Sequence, residues 1–159
     1  MNKYAPHLYV IPEDDANRQV ADGFTLHHHV KHTRMQVMPP AGGWSEVLKT
    51  FKDVYIQKLR EYPLAHVVLL IDFDGSFEQR RSDFQSQIPV DIQQRVFVVG
   101  SQDTPEAMKR QLKRSFEEIG KALADDCDAD TATLWGHQQL SHNDPDRHGM
   151  AQAIKPFLF

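Results

Sequence analysis

The sequence predicts an α/β fold: a mainly parallel four-stranded sheet with helices on both faces. Three observations carry this. Short apolar, β-branched runs alternate along the chain with longer stretches whose apolar residues recur at helical spacing. The most strand-like run, "AHVVLLIDF", is apolar on both faces, as a central parallel strand must be. The 159 residues, 40% hydrophobic and 25% charged, suit one domain that buries roughly two thirds of its unfolded surface.

The elements follow in order. "HLYVIP", His7 to Pro12, reads as a short strand. "EDDANRQVADGFTLHH" reads as a helix, with Val20, Phe24 and Leu26 loosely spaced and an interruption at Gly23. "TRMQVMP", Thr33 to Pro39, alternates and reads as a second strand, and "PAGG" as a loop. Ser45 is an apt N-cap for a helix over Glu46 to Glu61, whose inner face holds Val47, Leu48, Phe51, Val54, Tyr55 and Leu59; Pro63 ends it. "AHVVLLIDF" is the third strand, "SFEQRRSDFQSQI" a short polar helix, and "QRVFVVGS", Gln94 to Ser101, the fourth strand. Thr104 caps a long helix opening with Pro105 and running to about Ala124. "DDCDADTAT" reads as a turn-rich break, and the tail as a loop and a short helix around Arg147 to Ile154.

Composition narrows the function. A net charge of -4 and a pI near 6.1 argue against wrapping nucleic acid by bulk charge, but leave room for a local basic patch or an acidic site offset by a metal. The single cysteine, Cys127, excludes an internal disulfide and suits a reducing cytoplasm. No apolar run approaches a membrane span, and "MNKYAPH" is no secretory signal.

In parallel α/β sheets the functional groups lie beyond the carboxyl ends of the strands. Here those ends carry Glu13-Asp14-Asp15, Asp72-Phe73-Asp74 and Ser101-Gln102-Asp103. Asp72 and Asp74 alternate, so they share a face unless the chain turns between them. Two carboxylates on one face repel unless solvent or a cation lies between them. Hard oxygen donors in this arrangement suit Mg²⁺ or Mn²⁺, which in turn holds phosphate oxygens. Gly75 permits close backbone approach just after them.

These residues resemble the Toprim domain of topoisomerases, primases, small RNA-maturing nucleases and the overcoming-lysogenization-defect nucleases. The resemblance rests on "LYVIPEDDANRQVADGF" followed by "VVLLIDFDGS" and covers Tyr4 to about Ser101. It implies one Toprim-like domain over 1–159, with a core from about 4 to 125 and a C-terminal extension beyond. It implies Mg²⁺- or Mn²⁺-dependent phosphodiester chemistry on DNA or RNA. Asp72 and Asp74 would be the metal ligands, and Glu13 a third ligand or a general acid or base. It also implies a partner such as an ATPase on another chain. Asp14 stands where the family usually has glycine. That substitution favours a second reading, a non-catalytic module that binds a partner protein or a nucleic-acid end.

"LLIDFDGS" also looks like the first motif of haloacid-dehalogenase-like phosphatases, which would make Asp72 a nucleophile and Asp74 a general acid. That family carries the motif on its first strand, whereas two strand-helix units precede it here. Asp103 is a possible extra ligand or a helix-start residue, and Glu78 a possible water-mediated one. In "HHHVKH", His28 and His32 are four apart, which would pair them on a helix, but a solvated helix end is the plainer reading. "WGHQQLSHNDPDRH" is a polar, aromatic segment suited to folding over the strand ends. Lys109, Arg110, Lys113 and Arg114 form a basic band on the last long helix, and Arg80 and Arg81 follow the Asp-x-Asp; either could follow a phosphate backbone.

Overall fold

β1 (His7–Pro12) is buried at every position and lies between two parallel neighbours, β2 (Met35–Val37) and β3 (Ala65–Leu70). The computed structural model describes residues 1–159. Its sheet is parallel throughout, in the order β2-β1-β3-β4, with β4 spanning Val96–Val99. The connections from β1 and β3 leave in opposite directions, so the strand order reverses between them. That is where parallel sheets open a crevice for ligands.

Alternation along the strands divides the core. Tyr9, Ile11, Val67, Leu69, Val96 and Val98 face one side, with Val47, Phe51, Leu59 and Phe84 packed over them. Leu8, Val10, Val68, Phe97 and Val99 face the other, against Ala21, Ala124, Ile154 and Leu158. Ile154 joins the C-terminal helices α7 (Asp144–Ala153) and α8 (Lys155–Leu158), and Leu158 ends α8, so the tail helps to close one face of the sheet.

The expected elements form, among them the short polar helix as α4 (Phe77–Gln85), with four differences. α1 (Asp15–Thr25) runs through Gly23 without a break. A β-carbon there would lie 2.2 Å from the Glu117 carbonyl oxygen, so the glycine brings α1 against α6 (Phe116–Ala129). Gly120 on α6 answers it: a β-carbon there would lie 1.9 Å from the Val20 carbonyl. The second helix begins at Trp44, not after Ser45; its N-cap is Gly43, whose φ of +134° suits glycine. It comprises α2 (Trp44–Thr50), a π-helical turn (Phe51–Tyr55) and α3 (Ile56–Glu61).

The single helix expected from Thr104 to Ala124 is two. Thr104 does cap α5 (Pro105–Leu112), accepting from the Ala107 amide at 3.1 Å. Lys113 then turns left-handed (φ 54°), and Ser115 and Glu118 form a capping box that starts α6. The expected break at "DDCDADTAT" is largely the end of α6, which runs on to Ala129. Asp126 holds the turn that follows by accepting from Thr131 Oγ1 and the amides of Thr133, Leu134 and Trp135. No helix is long and apolar enough to cross a membrane.

Candidate acidic centre at the β1 and β3 ends

Glu13 is the residue after β1 and Asp72 lies two beyond β3. Because β1 and β3 are adjacent and in register through Pro12 and Leu70, the two acids meet. The Asp72 amide donates to Glu13 Oε2 at 2.6 Å, and the Glu13 amide donates to the Leu70 carbonyl at 2.9 Å. The "PAGG" loop closes beneath: the Gly42 and Gly43 amides donate to the Glu13 carbonyl at 3.0 and 3.2 Å.

Asp14 is the N-cap of α1, accepting from the Asn17 amide at 2.9 Å. Asn17 Nδ2 donates both to Asp14 Oδ1, at 3.0 Å, and to Asp72 Oδ1, at 2.9 Å. The residue that departs from the Toprim pattern thus starts the helix that steadies Asp72. Glu13 Oε1 and Asp72 Oδ2 accept no protein hydrogen bond.

Asp74 goes elsewhere. The β3 path continues beside β4 beyond the regular ladder, with the Ile71 amide donating to Val99 and the Phe73 amide to Ser101. The chain then turns through Asp74 (φ 50°) and Gly75 (φ 76°). That turn breaks the alternation, leaving Asp72 6% exposed and Asp74 at the surface. Arg80, stacked 4.5 Å over the Trp44 ring, donates to Asp74 Oδ2 at 2.7 Å and to the Asp72 carbonyl at 2.9 Å. The ligand oxygens of Glu13, Asp72 and Asp74 therefore do not form one tight cluster. The group whose ligand atoms all lie within 4.8 Å of one another is His27, His29 and Asp128, which sequence reasoning did not assemble.

The electrostatics mark the centre. Burial, with the nearby carboxylates of Glu13, Asp14 and Asp74, pushes the Asp72 pKa up to about 8, against the opposing bond from Asn17. Burial also raises Glu13, which the bond from the Asp72 amide partly offsets. Two buried carboxyls side by side hold either a proton or a cation between them. The oxygen donors fit Mg²⁺ or Mn²⁺ chemically; Asp74 joins them only by leaving Arg80.

The polar segment does fold over a strand end, that of β4. Gln139 bonds both the amide and the carboxylate of Asp103, and Asn143 and His142 bond Gly100. Asp103 is thereby held by Gln139, while its carbonyl accepts from the Asp74 amide at 3.3 Å. Burial lowers the His142 pKa, and the ring packs on Phe73 and Phe77. Arg81 pairs with Asp146 at 3.3 Å, so it and Arg80 are already engaged by carboxylates. Lys109, Arg110, Lys113 and Arg114 are exposed and in no ion pair, but the turn at Lys113 divides their band between α5 and the linker. His28 and His32 lie outside α1, so no helical pair forms.

Compared with known proteins, the chain matches no family model, no curated protein and no solved structure.

Proposed function

We propose that the chain is a Toprim-like, divalent-metal-dependent phosphodiester hydrolase acting on DNA or RNA. The observation that supports this is the meeting of Glu13 and Asp72 at the ends of adjacent parallel strands, where the strand order reverses, with one oxygen of each unbonded. Glu13, Asp72 and a released Asp74 would hold Mg²⁺ or Mn²⁺, which would supply positive charge to offset a phosphate and to favour ionisation of water.

The chain's own residues divide the remaining work. Asn17 fixes the Asp72 carboxylate, and the Asp72 amide fixes that of Glu13. Glu13, its pKa raised by burial, is placed to take or give a proton. Arg80 is held by Trp44 at the rim and can exchange Asp74 for a phosphate oxygen. The unpaired cations from Lys109 to Arg114 lie beyond Asp103 along the chain and suit a nucleic-acid backbone.

A second reading, a non-catalytic module that binds a nucleic-acid end or a partner such as an ATPase, draws support from the Arg80–Asp74 pair, which already supplies a cation at the rim. The phosphatase reading is weaker. That family carries the motif on its first strand, whereas here it follows β3, after two strand-helix units.

The test is cleavage of labelled single- and double-stranded DNA and RNA with Mg²⁺, Mn²⁺ or EDTA. Metal-dependent cleavage that falls at least 100-fold in Asp72→Asn, in a folded protein, is expected. Absent cleavage together with absent Mn²⁺ binding by calorimetry would overturn the hydrolase in favour of the module. Hydrolysis of p-nitrophenyl phosphate alone would favour the phosphatase.

A further inference from the structure

We propose that His27, His29, Asp125 and Asp128 form a second metal site, chemically distinct from the acidic centre and suited to a borderline ion such as Zn²⁺. His29 Nδ1 lies 2.6 Å from Asp128 Oδ2; His27 Nε2 lies 2.9 Å from Asp125 Oδ1 and 4.0 Å from Asp128 Oδ2. Ligand atoms of His27, His29 and Asp128 all lie within 4.8 Å of one another. A tetrahedral ion with bonds of about 2.0–2.2 Å separates its ligands by roughly 3.4 Å. Small side-chain rotations bring these groups to that spacing.

The fold explains the juxtaposition. Asp125 and Asp128 are three apart near the end of α6 and share a helix face. His27 and His29 lie in the turn that follows α1, and α1 is held against α6 by the close approach at Gly23 and Gly120. His27 is 3% exposed, yet its ring nitrogen points at a surface carboxylate rather than into the core.

Charge points the same way. α6 ends among four aspartates, with no basic residue in its last turn, where the helix dipole already disfavours negative charge. Asp126 is satisfied by four hydrogen bonds and Asp130 by Lys155 at 2.6 Å. Asp125 and Asp128 have only the imidazoles. Two imidazoles and two carboxylates neutralise a divalent ion, and imidazole selects zinc, copper or nickel over magnesium. Binding replaces the two imidazole–carboxylate hydrogen bonds with bonds to the ion and opens a third. His27 Nδ1 accepts from the His29 amide at 3.1 Å, and coordination through Nε2 moves the ring proton to Nδ1, so that bond opens.

The test is competition for Zn²⁺ against a chromophoric chelator, using chain without a histidine tag. One Zn²⁺ per chain, undisturbed by millimolar Mg²⁺, is expected, with a higher melting temperature on binding. His29→Ala and Asp128→Asn should each weaken affinity at least tenfold. His32→Ala, exposed and outside the cluster, should leave it unchanged. Circular dichroism of the zinc-free variants verifies their fold, and His29 is exposed enough to be replaced safely. Absence of saturable zinc binding overturns the proposal. So does binding that survives both substitutions, or that is lost only in Asp72→Asn, which would assign the ion to the acidic centre.

Discussion

Asp72 and Asp126 are both buried aspartates, 6% and 4% exposed, yet the protein treats them oppositely. Burial raises the pKa of each. At Asp126, bonds from Thr131, Trp135, Leu134 and Thr133 outweigh burial and hold the carboxyl below its usual range. At Asp72, one bond from Asn17 does not, and neighbouring carboxylates push further up, to about 8. Asp126 is a closed structural group whose acceptors are filled by its own chain. Asp72 keeps an oxygen free beside a second buried acid. A carboxylate left short of partners in a folded interior costs stability, and functional sites are where such costs persist.

Three measurements bear on that contrast. The largest effect belongs to Asp126→Ala, which strands four donors at once, two of them on the buried residues Leu134 and Trp135. A loss of about 3–5 kcal/mol in urea unfolding is expected; a loss under about 1 kcal/mol would mean that Asp126 is not the structural partner in the pair.

Asp72→Asn should act in the other direction. Between pH 3.8, the ordinary value, and about 8, folded Asp72 keeps a proton that the unfolded chain has released. Stability from this group is therefore full below the lower value and is lost as pH rises through the upper one. The asparagine variant should flatten that fall and be more stable at pH 8 by on the order of 1–3 kcal/mol. A parent protein that instead gains stability between pH 5 and 8 in EDTA would show Asp72 to be as well paired as Asp126.

The smallest effect on stability belongs to Arg80→Gln. The Asp74 side chain is half exposed, and such pairs contribute about 0–1 kcal/mol. Urea unfolding should barely change, while Mn²⁺ affinity rises several-fold as Asp74 is released to the centre. Unchanged affinity would place Asp74 outside the metal set.

Much of the frame was legible. The four strands follow from β-branched runs, and the Glu13–Asp72 meeting follows from the placement of both acids at strand ends. The errors have physical causes. Gly23 read as a break because a sequence shows its lack of a side chain but not the α6 backbone that needs the space. The division at Lys113 had a signal in Ser115-x-x-Glu118, outweighed by continuous apolar spacing. Whether Asp72 and Asp74 share a face depended on a turn between them, and the two positive-φ residues Asp74 and Gly75 that make it carry no clear signal beyond the glycine. The His27–Asp128 cluster joins segments about 100 residues apart, through a helix end that composition alone made look like a loop.

The π-helical turn at Phe51–Tyr55 carries a consequence for how this chain's length can vary. Such a turn fits one more residue than an α-helical turn would. Phe51 and Tyr55 are buried at its ends, while Lys52, Asp53 and Val54 between them are exposed. Loss of one of those three lets the turn relax to α-helix without rotating Val47 or Leu59 off the sheet. The stretch is therefore a splice point, where a deletion that would throw an ordinary helix out of phase leaves the crevice between β1 and β3 in place.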